Sequence, residues 1–290
     1  MTIAEFEARF KTEDDCRSYL MSRRWPDGVV CPRCKNENVY KLEKEWHWQC
    51  QACTDRGYRF SLLVGTIFEN TNYPLQVWFR VMHLMLVSKK GISALQIHRM
   101  IGTGSYRTAW YMCHRIRAGM ADEGFRKLTG FVEIDETYVG GKEKNKHKKD
   151  RNNQGRGPVG KIPVVGAVSR KGKVVARVLN RVDAQTLSEF VLETVSTKVS
   201  LISTDEHRGY DRLSVDGWPH ESVNHSGGEY VRGNVHTSTI DGFWSLIKRG
   251  IMGTFHKVSA KYLPLYVAEF EFRYNNRRND GIFDTAMGTV

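Results

Sequence analysis

The hydrophobic pattern changes its period near the middle of the chain. Before residue 125 it is helical. Residues 5–21 put Phe6, Phe10, Cys16, Tyr19 and Leu20 on or near one helical face. Residues 74–87, from Pro74 to Val87, are strongly apolar and long enough for about four turns of a buried helix. Pro74 would sit in its first turn, where a missing N–H costs little. Ser93 is placed to cap a short helix over 94–100, a glycine-bearing turn covers 101–104, and a third helix runs over 105–117. After residue 130 the pattern reads as strands, over 131–137, 162–169, 174–179 and 199–204. The turn 170–173 makes the middle two a hairpin. A helix over 184–196 turns Leu187, Phe190, Val191 and Leu192 inward, and a short strand lies around 222–224. An amphipathic helix begins near Thr239–Ile240, and a last one spans 262–273 with Leu265, Phe270 and Phe272 against the sheet.

The cysteines qualify the first third. Of six, Cys16 and Cys113 stand alone and read as packing residues, as does His83. The others form Cys31-Pro32-Arg33-Cys34 and Cys50-Gln51-Ala52-Cys53, with fifteen residues between the pairs. Two such knuckles fit four thiolates around a tetrahedral Zn²⁺, the alternatives being two disulfides or free thiols. Strands over 39–42, 46–49 and 58–61 would complete a zinc ribbon. It is too small for much core of its own, so the metal would supply much of its folding energy. His47 is not needed as a ligand once four cysteines fill the tetrahedron.

Charge narrows the partner. The 290 residues carry a formal net charge of +12 with 40% hydrophobic residues, so the chain folds around a core and favours a polyanion. No apolar run is long enough to cross a bilayer, and the first residues lack a secretory profile. Nucleic acid gains over a membrane surface, and a reducing cytoplasmic setting suits the cysteines. The helix–turn–helix layout of residues 93–117 would present Tyr106, Arg107 and Thr108 to a major groove. Lys144, Lys146, Lys148 and Lys149, in the basic stretch after Val139, are candidates for phosphate contact.

Three acids share a setting. Asp135 lies in the strand Phe131-Val132-Glu133-Ile134-Asp135-Glu136-Thr137, Asp205 ends the apolar run 199–204, and Asp241 opens an amphipathic helix. Strand alternation turns Glu133 to the same face as Asp135, as an accessory group, and Glu136 to the other. His207, His225 and His236 read as loop histidines. The expected fold is an α/β multidomain chain. It comprises an N-terminal helix and zinc ribbon (1–65), a helical helix-turn-helix-like DNA-binding segment (66–125), and a ribonuclease H-like mixed sheet with flanking helices (126–290).

The words Glu133–Gly141, Thr204-Asp205-Glu206, Phe243–Gly250 and Glu269–Arg277 resemble those of DDE-type insertion-sequence transposases with an N-terminal zinc ribbon, of the ISXO2-like kind. The resemblance covers nearly the whole chain. It implies a DNA transposase that binds the terminal inverted repeats of its element as a homo-oligomer, then cuts the double-stranded ends and joins them to a target. It also implies that Asp135, Asp205 and Asp241 hold Mg²⁺ or Mn²⁺, with Asp135 bridging two ions. Such a pair activates the attacking oxygen and stabilises the leaving one. Lys248, seven residues beyond Asp241 on the same helical face, and Arg249 beside it would grip DNA. The family position of Asp241 is often Glu and in some members Asn. The shorter side chain changes its metal reach, and it is the one feature favouring a non-catalytic zinc-ribbon DNA-binding derivative.

Overall fold

The computed structural model describes residues 1–53, 57–121, 126–141, 147 and 160–289. The chain forms two compact units, Met1–Met120 with Arg278–Val290, and Ala121–Arg277. The stretches expected as 1–65 and 66–125 thus pack together, and residues 278–290 pack with them rather than with the sheet-bearing unit.

The first unit opens with α1 (Ile3–Arg9) and α2 (Glu13–Arg24), where the pattern predicted one helix. The break has a local cause. The Thr12 hydroxyl accepts from the Asp15 N–H, and the Asp15 carboxylate accepts from the Thr12 N–H. This capping box starts a new helix in place of continuing the old one. Phe6 before the break and Cys16 after it both stay buried. Three antiparallel strands follow in the order β1 (Val39–Lys41), β2 (His47–Cys50) and β3 (Tyr58–Ser61). Trp48 and Phe60 pack with Trp25 to give this small sheet its apolar support.

Next come α3 (Leu75–Val87), α4 (Ala94–Ile101) and α5 (Tyr106–Gly119). Pro74 is the residue before α3 rather than part of its first turn. The orphan N–H groups of Leu75 and Gln76 are met by the Glu13 carboxylate, at 3.0 and 3.1 Å. Ser93 caps α4 as expected, Ser105 proves to be the cap of α5 rather than its first residue, and Gly102 leaves α4 at φ 72°, where a side chain would be strained.

The second unit is one mixed sheet. Its elements are β4 (Leu128–Val139), β5 (Ile162–Ser169), β6 (Val174–Val178), α6 (Ala184–Thr194), β7 (Val195–Thr204), α7 (Asp211–Val215), β8 (His220–Ser222), α8 (Ser238–Gly250) and α9 (Leu263–Asn275). The last helix, α10 (Ile282–Met287), belongs to the first unit, where Phe283 packs among Phe6, Phe10 and Phe79. Sheet order is β6-β5-β4-β7-β8, antiparallel across β6-β5-β4 and parallel across β4-β7-β8. Alternation along β4 sends Val132 and Ile134 into a core with Leu187, Phe190 and Val191 of α6. Val139, from the opposite face, joins Ile240, Phe243, Trp244 and Ile247 of α8 and Val267 and Phe270 of α9. The sheet is therefore a middle layer between two helical ones. Leu192, expected inward, is exposed: at about 100° per residue it falls outside the arc of roughly 100° that holds Leu187, Phe190 and Val191.

The open edge of the sheet explains part of the last family word. Strand β6 offers unpaired backbone groups, a template for pairing with other chains. From α9, Asn275 accepts from the Val174 N–H at 2.7 Å and donates to the Val174 carbonyl at 2.9 Å, while Glu271 accepts from the Ala176 N–H at 3.0 Å. Asn275 thus spends its amide on the sheet edge. Among the described residues no helix is long and apolar enough to cross a membrane.

Candidate active site

The parallel pairing of β4 with β7 sets up the site. Glu133 pairs with Ser203, and two residues further along each chain stand Asp135, within β4, and Asp205, just past the end of β7. The two acids, seventy positions apart in sequence, therefore stand side by side where β7 ends at Thr204. Asp135, Glu136 and Asp205 each offer a carboxylate oxygen, and these atoms lie within 4.8 Å of one another.

Glu136 obeys the alternation and still joins the group. Its carboxylate does turn to the other face, where it accepts from the buried hydroxyl of Tyr210 at 2.8 Å. But β7 has ended at this level, so no neighbouring backbone separates the two faces and both carboxylates reach the strand edge. His207 joins this side. Its N–H donates to Asp205 Oδ1 at 3.0 Å, and its Nε2 lies 3.9 Å from Glu136 Oε1.

The electrostatics are those of a site that wants a cation. Burial pushes the Asp135 carboxyl up to about 7, and the charges of Glu136, Asp205 and Asp241 push the same way. Burial also raises Glu136, although the Tyr210 hydroxyl works against it. Such crowding of acids is relieved by a divalent ion, and an all-carboxylate oxygen set suits a hard one. The donors fit a divalent metal site.

Asp241 stands outside that close group. It is exposed in the first turn of α8, near enough for its charge to act on Asp135. Helix α8 itself is held by Glu133. This fully buried carboxylate accepts from the N–H groups of Thr239 at 2.7 Å and Ile240 at 3.1 Å and from the Thr239 hydroxyl at 2.8 Å. Arg170 Nε at 2.7 Å and His236 Nδ1 at 3.2 Å complete its surroundings. Glu133 is thus a helix cap supplied from the sheet, and His236 part of its shell. Lys248 and Arg249 are exposed in the last turn of α8, where Arg249 Nε donates to the Ser245 carbonyl. Sequence reasoning missed Glu136, Tyr210 and Trp244, whose indole N–H donates to Asp135 Oδ2 at 2.9 Å. The only sequence signal was that Glu136 and Trp244 stand inside the recurring words.

In the other unit, Cys31, Cys34, Cys50 and Cys53 bring their sulfurs within 4.8 Å of one another. The Sγ–Sγ separations of 3.6 Å, Cys31 to Cys53 and Cys34 to Cys50, are far beyond a disulfide bond of about 2.05 Å. They approach the roughly 3.8 Å edge of a tetrahedron with Zn–S bonds of about 2.3 Å. Burial opposes ionisation of Cys31, but hydrogen bonds from the backbone N–H groups of Cys34 and Arg33 and from the Cys53 and Cys34 thiols together bring the thiol down to about 7. The cluster fits structural zinc. His47 Nδ1 instead lies 2.8 Å from the Glu45 carbonyl.

Of the expected DNA readers, Tyr106 and Arg107 are exposed at the start of α5, while the half-buried Thr108 has its hydroxyl 3.1 Å from Ser105 Oγ. Lys144, Lys146, Lys148 and Lys149 lie outside the described residues.

Comparison with known proteins agrees with both clusters. The family model of the ISXO2-like transposase domain matches residues 127–275, and that of the transposase zinc-ribbon domain matches residues 11–56. The chain is similar to an uncharacterized protein in transposable element ISH50 of Halobacterium salinarum, 28% identical over 293 residues, covering 96% of this chain and 98% of that one. It is also similar to an uncharacterized transposase-like protein of Haemophilus influenzae, 32% identical over 106 residues, covering 37% of this chain and 84% of that one. A chain in the solved structure of the simian T-cell lymphotropic virus intasome with PP2A regulatory subunit B56 gamma aligns over 67% of this chain and 65% of that one. Its identity is 14% and its TM-score 0.30, too low a likeness to bear on the fold.

Proposed function

Because the chain belongs to the ISXO2-like transposase family, we propose that it cuts the ends of its own insertion sequence and joins them to target DNA at the carboxylate cluster. The observation that carries this reading is the meeting of Asp135, Glu136 and Asp205 at the end of the β4–β7 pair. Divalent ions bound there, Mg²⁺ or Mn²⁺, would supply Lewis-acid activation of the attacking and leaving oxygens of a phosphodiester. Asp135 and Asp205 are the principal ligands. Glu136, held by Tyr210, completes the oxygen set, and Asp241 brings the third family acid from α8. Lys248 and Arg249 extend the same helix toward the DNA phosphates.

The other unit is the reader. Tyr106, Arg107 and Thr108 open the second helix of a helix-turn-helix-like pair and would dock on the terminal inverted repeats. Lys144, Lys146, Lys148 and Lys149 would add phosphate contacts, whose affinity falls steeply with salt. Two ends must be handled together, so the working form is a homo-oligomer on DNA. Its substrate is chromosomal DNA in the bacterial cytoplasm.

One observation favours the alternative, a non-catalytic zinc-ribbon DNA binder: Asp241 stands outside the close acid group. Strand transfer on oligonucleotides bearing the element's ends, with Mg²⁺ or Mn²⁺, separates the two. The transposase reading requires joined product from the wild type and its loss in Asp135→Asn; equal yields from the two proteins sink it.

A further inference from the structure

The acid cluster has a support that none of the motifs assigns. We propose that Trp244 is a positioning residue for Asp135: its indole N–H fixes one carboxylate oxygen, so that the other is presented to a divalent cation. The inference rests on reading the cluster as a metal site.

Trp244 is only 2% exposed and its Nε1 lies 2.9 Å from Asp135 Oδ2. The sheet is cut to receive it. Asp135 pairs across the ladder with Gly166 of β5, and a Cβ at Gly166 would stand 2.7 Å from Trp244 Cη2 and 2.8 Å from Cζ2. Only a residue without a side chain lets the indole lie on the sheet at that level. Real Cβ atoms do not approach carbon that closely, and here the neighbour is a rigid ring.

Helix and strand also match in repeat. Glu133 and Asp135, on one face of β4, are about 6.7 Å apart along the strand. Thr239 and Trp244, which they engage, are about 7.5 Å apart along α8. The two carboxylates therefore hold the helix at two points, one through its N-terminal N–H groups and one through the indole. With both attachments made, α8 can neither slide nor roll without breaking a buried hydrogen bond.

An indole nitrogen is a donor only. It cannot compete for a cation, and it favours the ionised carboxylate in a half-buried place. A carboxylate with one oxygen so engaged has lost its freedom to rotate about its terminal bond, and it meets a cation through the remaining oxygen in one orientation. A ring that merely filled the core would do none of this.

The test uses the full-length, zinc-loaded chain and Mn²⁺ alone as probe. Free Mn²⁺ is measured by its electron paramagnetic resonance signal, beside the thermal midpoint, for the wild type, Trp244→Phe and Gly166→Ala. Phenylalanine keeps most of the packing and loses the donor; alanine keeps the donor and displaces the ring. The expected result is Mn²⁺ affinity weakened about tenfold in both variants. If the variants melt lower yet bind Mn²⁺ as tightly as the wild type, Trp244 is a packing residue and the inference falls alone. A wild type that binds no Mn²⁺ overturns both the inference and the reading beneath it. Should neither variant fold, the wild type still decides. Of its seven tryptophans, one buried indole ¹H–¹⁵N resonance must move when Mg²⁺ is added, and seven unmoved resonances reject the proposal.

Discussion

Among the described residues two clusters could hold metal, and they are built in opposite ways. The four cysteines fall within 23 consecutive residues, on two knuckles joined by a three-stranded sheet, and their sulfurs close a tetrahedron with no position left open. The three carboxylates come from β4 and from the residue after β7, Asp135 and Asp205 being seventy positions apart, and meet at a strand edge with hard oxygens in half-buried places. The first design suits an ion that stays and holds the fold. The second suits ions that also meet a substrate. The contrast extends to the supports. The ribbon's apolar packing is a few rings, so its fold leans on the ion. The acids rest on a sheet covered on both faces, which stands without one.

The largest effect that contrast implies is on the ribbon. Structural zinc in small modules contributes about 10–16 kcal/mol of apparent binding energy near neutral pH. Purified protein should hold about one zinc per chain. Stripping it, or Cys34→Ser, should abolish amide-exchange protection over residues 39–61 while strands β4 to β7 keep theirs. Equal loss in both units would break the distinction between a metal-dependent and a metal-independent fold. The acid cluster should answer in the reverse sense. Asp135→Asn or Asp205→Asn should lower strand transfer by about three orders of magnitude, worth about 4 kcal/mol. Either change should leave the thermal midpoint at or above that of the wild type. A drop of several degrees would mean that the acids support the fold.

A pH experiment sharpens the same point. The Asp135 carboxyl lies at about 7 in the folded chain, above its ordinary 3.8, and Glu136 is raised as well. A carboxyl raised by folding holds its proton more tightly when folded. Its contribution is therefore fully present below about pH 4 and is lost as pH climbs toward about 7. In buffer free of Mg²⁺ and Mn²⁺ the thermal midpoint should fall by several degrees across that interval, against the trend of ordinary acid denaturation. Asp135→Asn should flatten most of the fall, and Mg²⁺ should restore stability at pH 7. No difference between wild type and Asp135→Asn would remove the crowding argument. The smallest effect expected is at the far edge of the sheet. Asn275→Ala leaves the Val174 N–H and carbonyl without their side-chain partner, and should cost about 1–3 kcal/mol in denaturant unfolding with strand transfer unchanged. Lost activity at normal stability would make Asn275 a DNA contact instead.

The residues differ in how far they could be read in advance. The zinc knuckles, the cap Ser93, and the order of strands and helices in the second unit are local. Each depends on residues within a few positions or on a period of two or 3.6. Asp135 and Asp205 were identifiable because each stands where an apolar run stops. The split between α1 and α2 was equally local, written in Thr12 and Asp15, but the apolar face continued across it and hid the signal. Glu136 was read correctly as facing away from Asp135 and still proved part of the cluster, because alternation says nothing about where a partner strand ends.

The amino-acid sequence alone determined the two chemistries: soft thiolates at knuckle spacing, and carboxylates at strand ends in the words of a transposase family. Tertiary structure decided which carboxylates meet, what holds them and what Asn275 does. The reason is that those outcomes are fixed by pairing register and by helices laid across strands. Seventy residues separate Asp135 from Asp205, and more than a hundred separate Glu133 from Thr239 and Asp135 from Trp244. Only the folded sheet sets those distances.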